Sequence, residues 1–224
     1  MEMKGLLAGI MVFVLAATAF SQTRPRDPFV YRTALNLDNA SRPNNSKNRL
    51  VAVLLNANFT AFYSTENGGL FLTRSGTAKD INDTYTQVAF GQVQTFTGGA
   101  VLHRNNAATL WEFLDNGSPA TSKTVFRGYT LKASKVTMRY SILAGANTVE
   151  IAETPEYVAG GTGGMSRAIA VSGLGTGQSV RLKLNGGVAT ETWTAASGGT
   201  VSGTSPMYLT ISANGTATVT GSWN

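Results

Sequence analysis

The chain has 224 residues, 18 basic and 12 acidic, for a formal charge of +6, with no cysteine and one histidine. The missing thiols exclude disulfides, thiolate metal sites, c-type haem attachment and a cysteine nucleophile. The basic residues are not gathered around stacking aromatics, which speaks against nucleic-acid binding.

Residues 1–21 open with Lys4 and an apolar run from Gly5 to Phe20, too short to span a bilayer comfortably. The run ends in Ala17-Thr18-Ala19 and Ala19-Phe20-Ser21. It reads as a secretory signal peptide, cut after Ala19 or Ser21. The expectation is export to the periplasm, cell surface or medium, with no membrane span after cleavage. About 200 mature residues can bury a core without cross-links. Six basic residues follow between Arg24 and Arg49. They form a solvated loop region, or attract an acidic surface or polysaccharide.

From Leu50 onward the pattern is strand and turn. Leu50 to Leu55 suits a buried strand, then Phe59 to Tyr63, the turn Glu66-Asn67-Gly68-Gly69, and Leu70 to Leu72. Val88 to Phe96 and Ala100 to His103 flank Thr97-Gly98-Gly99. Trp111 to Leu114 runs into Asp115-Asn116-Gly117, a hairpin signal because Asn-Gly accepts positive φ. Val136, Met138, Tyr140 and Ile142 alternate with Lys135, Thr137, Arg139 and Ser141, giving one apolar and one polar face. Thr148 to Ile151, Ile169 with Val171, and Val180, Leu182, Leu184 continue the series. Strands and turns recur with 25 glycines as punctuation. The reading is all-β, an antiparallel β-sandwich over residues 22–190.

Residues 191–224 stand apart. No charged residue follows Glu191. Met207, Leu209 and Ile211 alternate with Tyr208, Thr210 and Ser212, Asn214-Gly215 makes the turn, and Thr216 to Trp223 returns. This predicts a C-terminal β-hairpin. Its lack of charge is unusual for an edge, where Lys or Pro normally blocks further pairing.

The run from Arg32 to Gly187 resembles the β-rich N-terminal domain of certain large bacterial periplasmic proteins, where it often precedes a c-type cytochrome domain. The matching pieces are Phe59 to Tyr63 with Gly69 to Phe71, Trp111 with Asn116-Gly117, and Phe126 to Tyr129 with Leu131. Val136 to Tyr140 and Glu153-Thr154-Pro155-Glu156-Tyr157 with Arg167, Ile169, Val171, Ser172 and Gly173 complete them. The resemblance implies an exported sandwich, akin to those of sugar-processing proteins, and no activity. The cytochrome part is absent. A His-Gly-Pro-Gln stretch of those relatives is replaced by Phe90-Gly91-Gln92-Val93-Gln94, and Ser41 to Arg49 looks like an insertion.

Candidate chemistry is sparse. His103 has no Gly-x-Ser-x-Gly elbow to serve and reads as structural or superficial. Glu150, Glu153 and Glu156 are dense enough to suggest a carboxylate pair. Along a strand, however, Glu150 and Glu153 face opposite ways, Pro155 should break the pairing, and Glu156 is free to pair with Arg167 or cap a loop. Asp80, Asn82 and Asp83 offer oxygen ligands for calcium but lack EF-hand spacing. Val158 to Ser166 lacks the Gly-Lys-Ser/Thr ending of a phosphate loop. Trp111 reads as core. We therefore expect no enzyme, cofactor, catalytic residue or metal site. The function expected is a structural or assembly protein of the cell exterior, a filament or surface-layer subunit joined by β-strand addition. The alternative is a binding module for carbohydrate or a partner protein. The residues carrying either are Trp193, Tyr208, Thr210, Thr218 and Trp223.

Overall fold

The computed structural model describes residues 30–36, 46–78, 93–94, 96–97, 99–160, 164–185 and 191–223. Residues 1–21, expected to be a signal peptide, the candidate calcium ligands Asp80, Asn82 and Asp83, and Phe90-Gly91-Gln92 lie outside them. Among the described residues every regular element is a strand. In chain order they are β1 (Val30–Asn36), β2 (Ser46–Asn56), β3 (Phe59–Ser64), β4 (Gly69–Ser75), β5 (Thr77–Ala78), β6 (Val93–Gln94) and β7 (Phe96–Thr97). Then come β8 (Val101–Arg104), β9 (Trp111–Asp115), β10 (Ser118–Ala120), β11 (Lys123–Lys132), β12 (Lys135–Ala144) and β13 (Asn147–Val158). The rest are β14 (Gly164–Ser172), β15 (Gln178–Lys183), β16 (Glu191–Ser197), β17 (Thr200–Ser202), β18 (Tyr208–Ile211) and β19 (Gly215–Trp223).

They form an all-β sandwich. The first sheet runs β6-β1-β2-β3-β4-β8, the last sheet β11-β12-β13-β14-β19-β16, and a smaller one β10-β9-β15-β18-β17, with β5-β7 as a separate ribbon. Pairing is antiparallel except between β1 and β6. The expected alternation places Val136, Met138, Tyr140 and Ile142 in the core and leaves Lys135 and Arg139 exposed. Ser141 departs from the expected wet face. It is buried, because Arg127 Nε donates to its hydroxyl and the hydroxyl reaches Glu150. The core is shared by all three large sheets: Tyr63 and Val51 from the first, Trp111, Phe113 and Leu182 from the smaller, Met138 and Ile169 from the last. Leu50, Ala52, Phe62 and Leu72 form a second cluster, on the opposite face of the first sheet by strand alternation.

The turn predicted at Asn116-Gly117 is present. Asn116 and Gly117, with φ of 48° and 79°, close the hairpin between β9 and β10. Pro155 does not break its strand. Registered pairs of β12 with β13 run only from Met138↔Glu153 to Ala144↔Asn147, so Pro155 lies past that ladder while staying opposite Arg167 of β14. A missing N–H costs little where no ladder bond is formed.

The C-terminal hairpin exists, but its tip is elsewhere. β17 pairs with β18 through Ser202↔Tyr208, and β16 pairs with β19 from Glu191↔Trp223 to Ser197↔Thr218. Residues 191–202 and 208–223 are thus two long arms closed at 203–207. Each arm bends from the last sheet into the smaller one, one at Gly198-Gly199 and the other at Asn214-Gly215. Gly198 has φ of +68°, and a Cβ there would collide with the Thr216 carbonyl. Asn214 joins its corner to the neighbouring crossover by accepting from Leu174 N at 2.9 Å and donating to Leu174 O at 3.0 Å.

Candidate functional site

β16 reads Glu-Thr-Trp-Thr-Ala-Ala-Ser, and Thr and Trp both suit a pleated, half-buried surface. Glu191 and Trp193 turn inward, while Thr192 and Thr194 are exposed. Trp193 lies across Gly221 of β19, where an added Cβ would sit 2.7 to 2.8 Å from the indole ring. The indole meets Trp223 edge-on at 6.0 Å between centroids and His103 edge-on at 5.9 Å. The Arg167 guanidinium stands 5.6 Å from its ring centre. His103 on β8 donates from Nδ1 to Glu191 Oε2 at 2.5 Å, with both side chains buried. This contact ties the edge of the first sheet to the edge of the last.

Deeper in the core, Arg167 donates from Nε and Nη2 to the two oxygens of Glu153 at 2.7 and 2.9 Å, and Tyr63 Oη donates to the same carboxylate at 2.7 Å. Burial would lower the Arg167 pKa, but the Glu153 charge and its hydrogen bonds outweigh this and raise it. Burial, reinforced by the negative Glu153, pushes the Tyr63 and Tyr140 hydroxyls well above their ordinary range. Fully ion-paired and enclosed, this trio has the character of a structural anchor between the sheets.

The outer face of the last sheet divides in two. Lys135, Arg139, Glu150 and Glu156 mark β12 and β13, with Lys135 Nζ 2.5 Å from Glu156. On β14, β19 and β16 the outward positions are Ser166, Ala168, Ala170, Ser172, Thr216, Thr218, Thr220, Ser222, Thr192 and Thr194, with no charge. They lie in cross-strand register as Ser166↔Thr220↔Thr194 and Ala168↔Thr218.

The sheet edges differ in how they are protected. β11 carries Lys123, Arg127 and Lys132 and a bulge between Phe126 and Gly128. β10 is three residues with Pro119, β17 three residues, β8 four with Arg104, and β6 two. β16 runs seven residues at the rim of the last sheet, and its one charge, Glu191, is turned inward. Only a bulge between Ala195 and Ser197 interrupts it. Among the described residues no strand pairs with its outer side.

Of the predicted site residues, the structure brings Trp193 and Trp223 together, inside the core. Trp193 and Trp223 are 4% and 3% exposed, so they form core contacts and no surface platform for sugars. Trp223 ends the strand expected from Thr216 to Trp223, and which face met the core needed the opposing sheet. Tyr208 and Thr210 lie on β18, between β15 and β17, and Thr218 lies on β19, between β14 and β16. None is on an edge, so the free edge of the uncharged segment is its first arm and not its last. Tyr208 is half-buried and holds the Arg181 guanidinium 4.4 Å from its ring centre, while Arg181 Nε donates to Glu112 at 2.9 Å. Glu150 and Glu153 do face opposite ways, and Glu156 pairs with Lys135 rather than Arg167. The Tyr63–Glu153–Arg167 trio was missed. Its signal was present, since Glu153 and Arg167 share the inward parity of Ile151 and Ile169.

Comparison with protein families, with curated proteins and with solved structures found no match to this chain.

Proposed function

We propose that the protein is a non-catalytic assembly module of the cell exterior that joins copies of itself by β-strand addition at β16. One observation carries the reading: the longest edge in the uncharged C-terminal segment has neither lysine nor proline to block pairing. A strand added there would gain main-chain hydrogen bonds along seven residues. Antiparallel pairing of β16 with β16 of a second copy gives a twofold dimer with a continuous sheet. Export rests on the leader at residues 1–21. The test is sedimentation of the mature protein beside Thr194→Lys. Association of the wild type, lost in the lysine variant at unchanged melting temperature, supports the reading. A wild type that stays monomeric at high concentration refutes it.

A second reading is favoured by the uncharged Ser/Thr/Ala face of β14, β19 and β16, which suits a neutral, hydroxyl-rich surface such as a polysaccharide. Retention of a monomeric wild type on an insoluble glycan, lost in Thr218→Lys/Thr220→Lys, would favour this reading over assembly.

A further inference from the structure

The chain contains four Asn-Gly steps, at Asn67, Asn116, Asn185 and Asn214. In three of them the Asn carboxamide clamps a distant backbone. Asn67 Nδ2 donates to Ala107 O at 2.6 Å. Asn185 donates to Thr204 O at 2.8 Å and accepts from Met207 N at 2.7 Å. Asn214 bonds Leu174 in both directions. Asn116 differs. Its Nδ2 reaches only the neighbouring Asp115 carboxylate, at 3.3 Å, and Asn116 and Gly117 are both exposed. Around Gly117 nothing lies within 4 Å of where a Cβ would stand.

We propose that Asn116-Gly117 is a spontaneous modification site, at which Asn116 converts to aspartate and isoaspartate while the other three steps are protected. The reaction needs only water. The Gly117 amide nitrogen loses its proton to water and attacks Asn116 Cγ, forming a C–N bond. The Cγ–Nδ2 bond breaks and the nitrogen leaves as ammonia, taking up a proton. Water then opens the cyclic imide. Cleavage at the side-chain carbonyl gives aspartate, and cleavage at the main-chain carbonyl gives isoaspartate, with the chain running through the former side chain. Nothing is oxidised or reduced. Glycine at 117 matters because it leaves the attacking nitrogen unhindered. The clamps matter because the Cγ of Asn67, Asn185 and Asn214 can rotate toward the next nitrogen only after long-range hydrogen bonds break. The one bond at Asn67 slows the step by about fivefold, and the two at Asn185 and at Asn214 by about tenfold or more. The product adds a negative charge beside Asp115 in the β9–β10 turn. It also alters the backbone where Asn116 N donates to Gly177 O at 2.9 Å.

The experiment is ageing of the folded protein at neutral pH, followed by peptide mapping for the gain of about 1 Da that NH2-to-OH exchange produces and by an isoaspartyl methyltransferase assay. The expected result is modification of the Asn116 peptide ahead of the other three, and equal modification of all four after unfolding in urea. Asn116→Gln, which cannot form the five-membered ring, should lose the isoaspartyl signal. Equal rates in the folded state, or modification led by Asn67, Asn185 or Asn214, would overturn the proposal.

Discussion

The guanidinium of Arg167 on β14 and the carboxylate of Glu153 on β13 meet in a two-bond pair, 2.7 and 2.9 Å long, in which both side chains are at most 1% exposed. Desolvating both ions is costly, and the pair is tolerated because Tyr63 supplies a third hydrogen bond. Removing one partner should therefore cost far more than removing all three. Arg167→Met or Glu153→Met is expected to destabilise by about 3–5 kcal/mol, since a buried charge loses its partner. The combination Glu153→Met/Arg167→Met/Tyr63→Phe should recover most of that loss. Urea midpoints of the set decide it; purely additive losses would contradict the argument.

The same cluster sets an alkaline limit. Burial, then the Glu153 charge, raises the folded pKa values of Tyr63 and Tyr140. An unfolded tyrosine ionises near pH 10, roughly. Below that pH both states keep their protons and stability is at its full value. Above it the unfolded chain ionises while the folded core resists, so stability falls as pH rises toward the folded pKa values. Urea midpoints measured across this range should decline, and the decline should be shallower in Tyr140→Phe. An identical slope in that variant would remove Tyr140 from the explanation.

The register of β12 can be checked with adjacent substitutions. Met138 is fully buried and Arg139 is exposed. Met138→Asp should unfold the domain, because an unpaired charge in the core costs several kcal/mol or more. Arg139→Asp should stay within about 0.5 kcal/mol of the wild type. Comparable losses of Tm in both variants would refute the inward and outward assignments.

Gly221 is required by the ring opposite it and not by its own backbone. A Cβ at this position would press on Trp193 at 2.7 to 2.8 Å. Gly221→Ala should cost about 1–3 kcal/mol through overpacking. Adding Trp193→Leu should relieve part of that cost, because the side chain that clashes is then gone. Chemical denaturation of the two variants gives the comparison, and a Gly221→Ala protein as stable as the wild type would show that the indole has another place to go.

Local pattern determined much of this protein. Alternation along residues 135–142 and 207–211 specified strands and the faces of Met138 and Leu209, because a strand repeats every two residues whatever it packs against. Asn116-Gly117 specified a turn, since both residues accept positive φ. The absence of charge after Glu191 marked the segment where pairing is least guarded. Tertiary structure alone decided which strands became neighbours. The Asn214-Gly215 step looked like a hairpin tip, yet β18 and β19 separate there into different sheets, β18 pairing with β15 and β19 with β14. That choice enclosed Trp193 and Trp223, placed Thr210 and Thr218 on interior strands, and left β16 at the rim. It also brought Tyr63 within reach of Glu153 across 90 residues of chain. Such contacts depend on strand order and sheet stacking, which residue type and spacing along one strand do not encode.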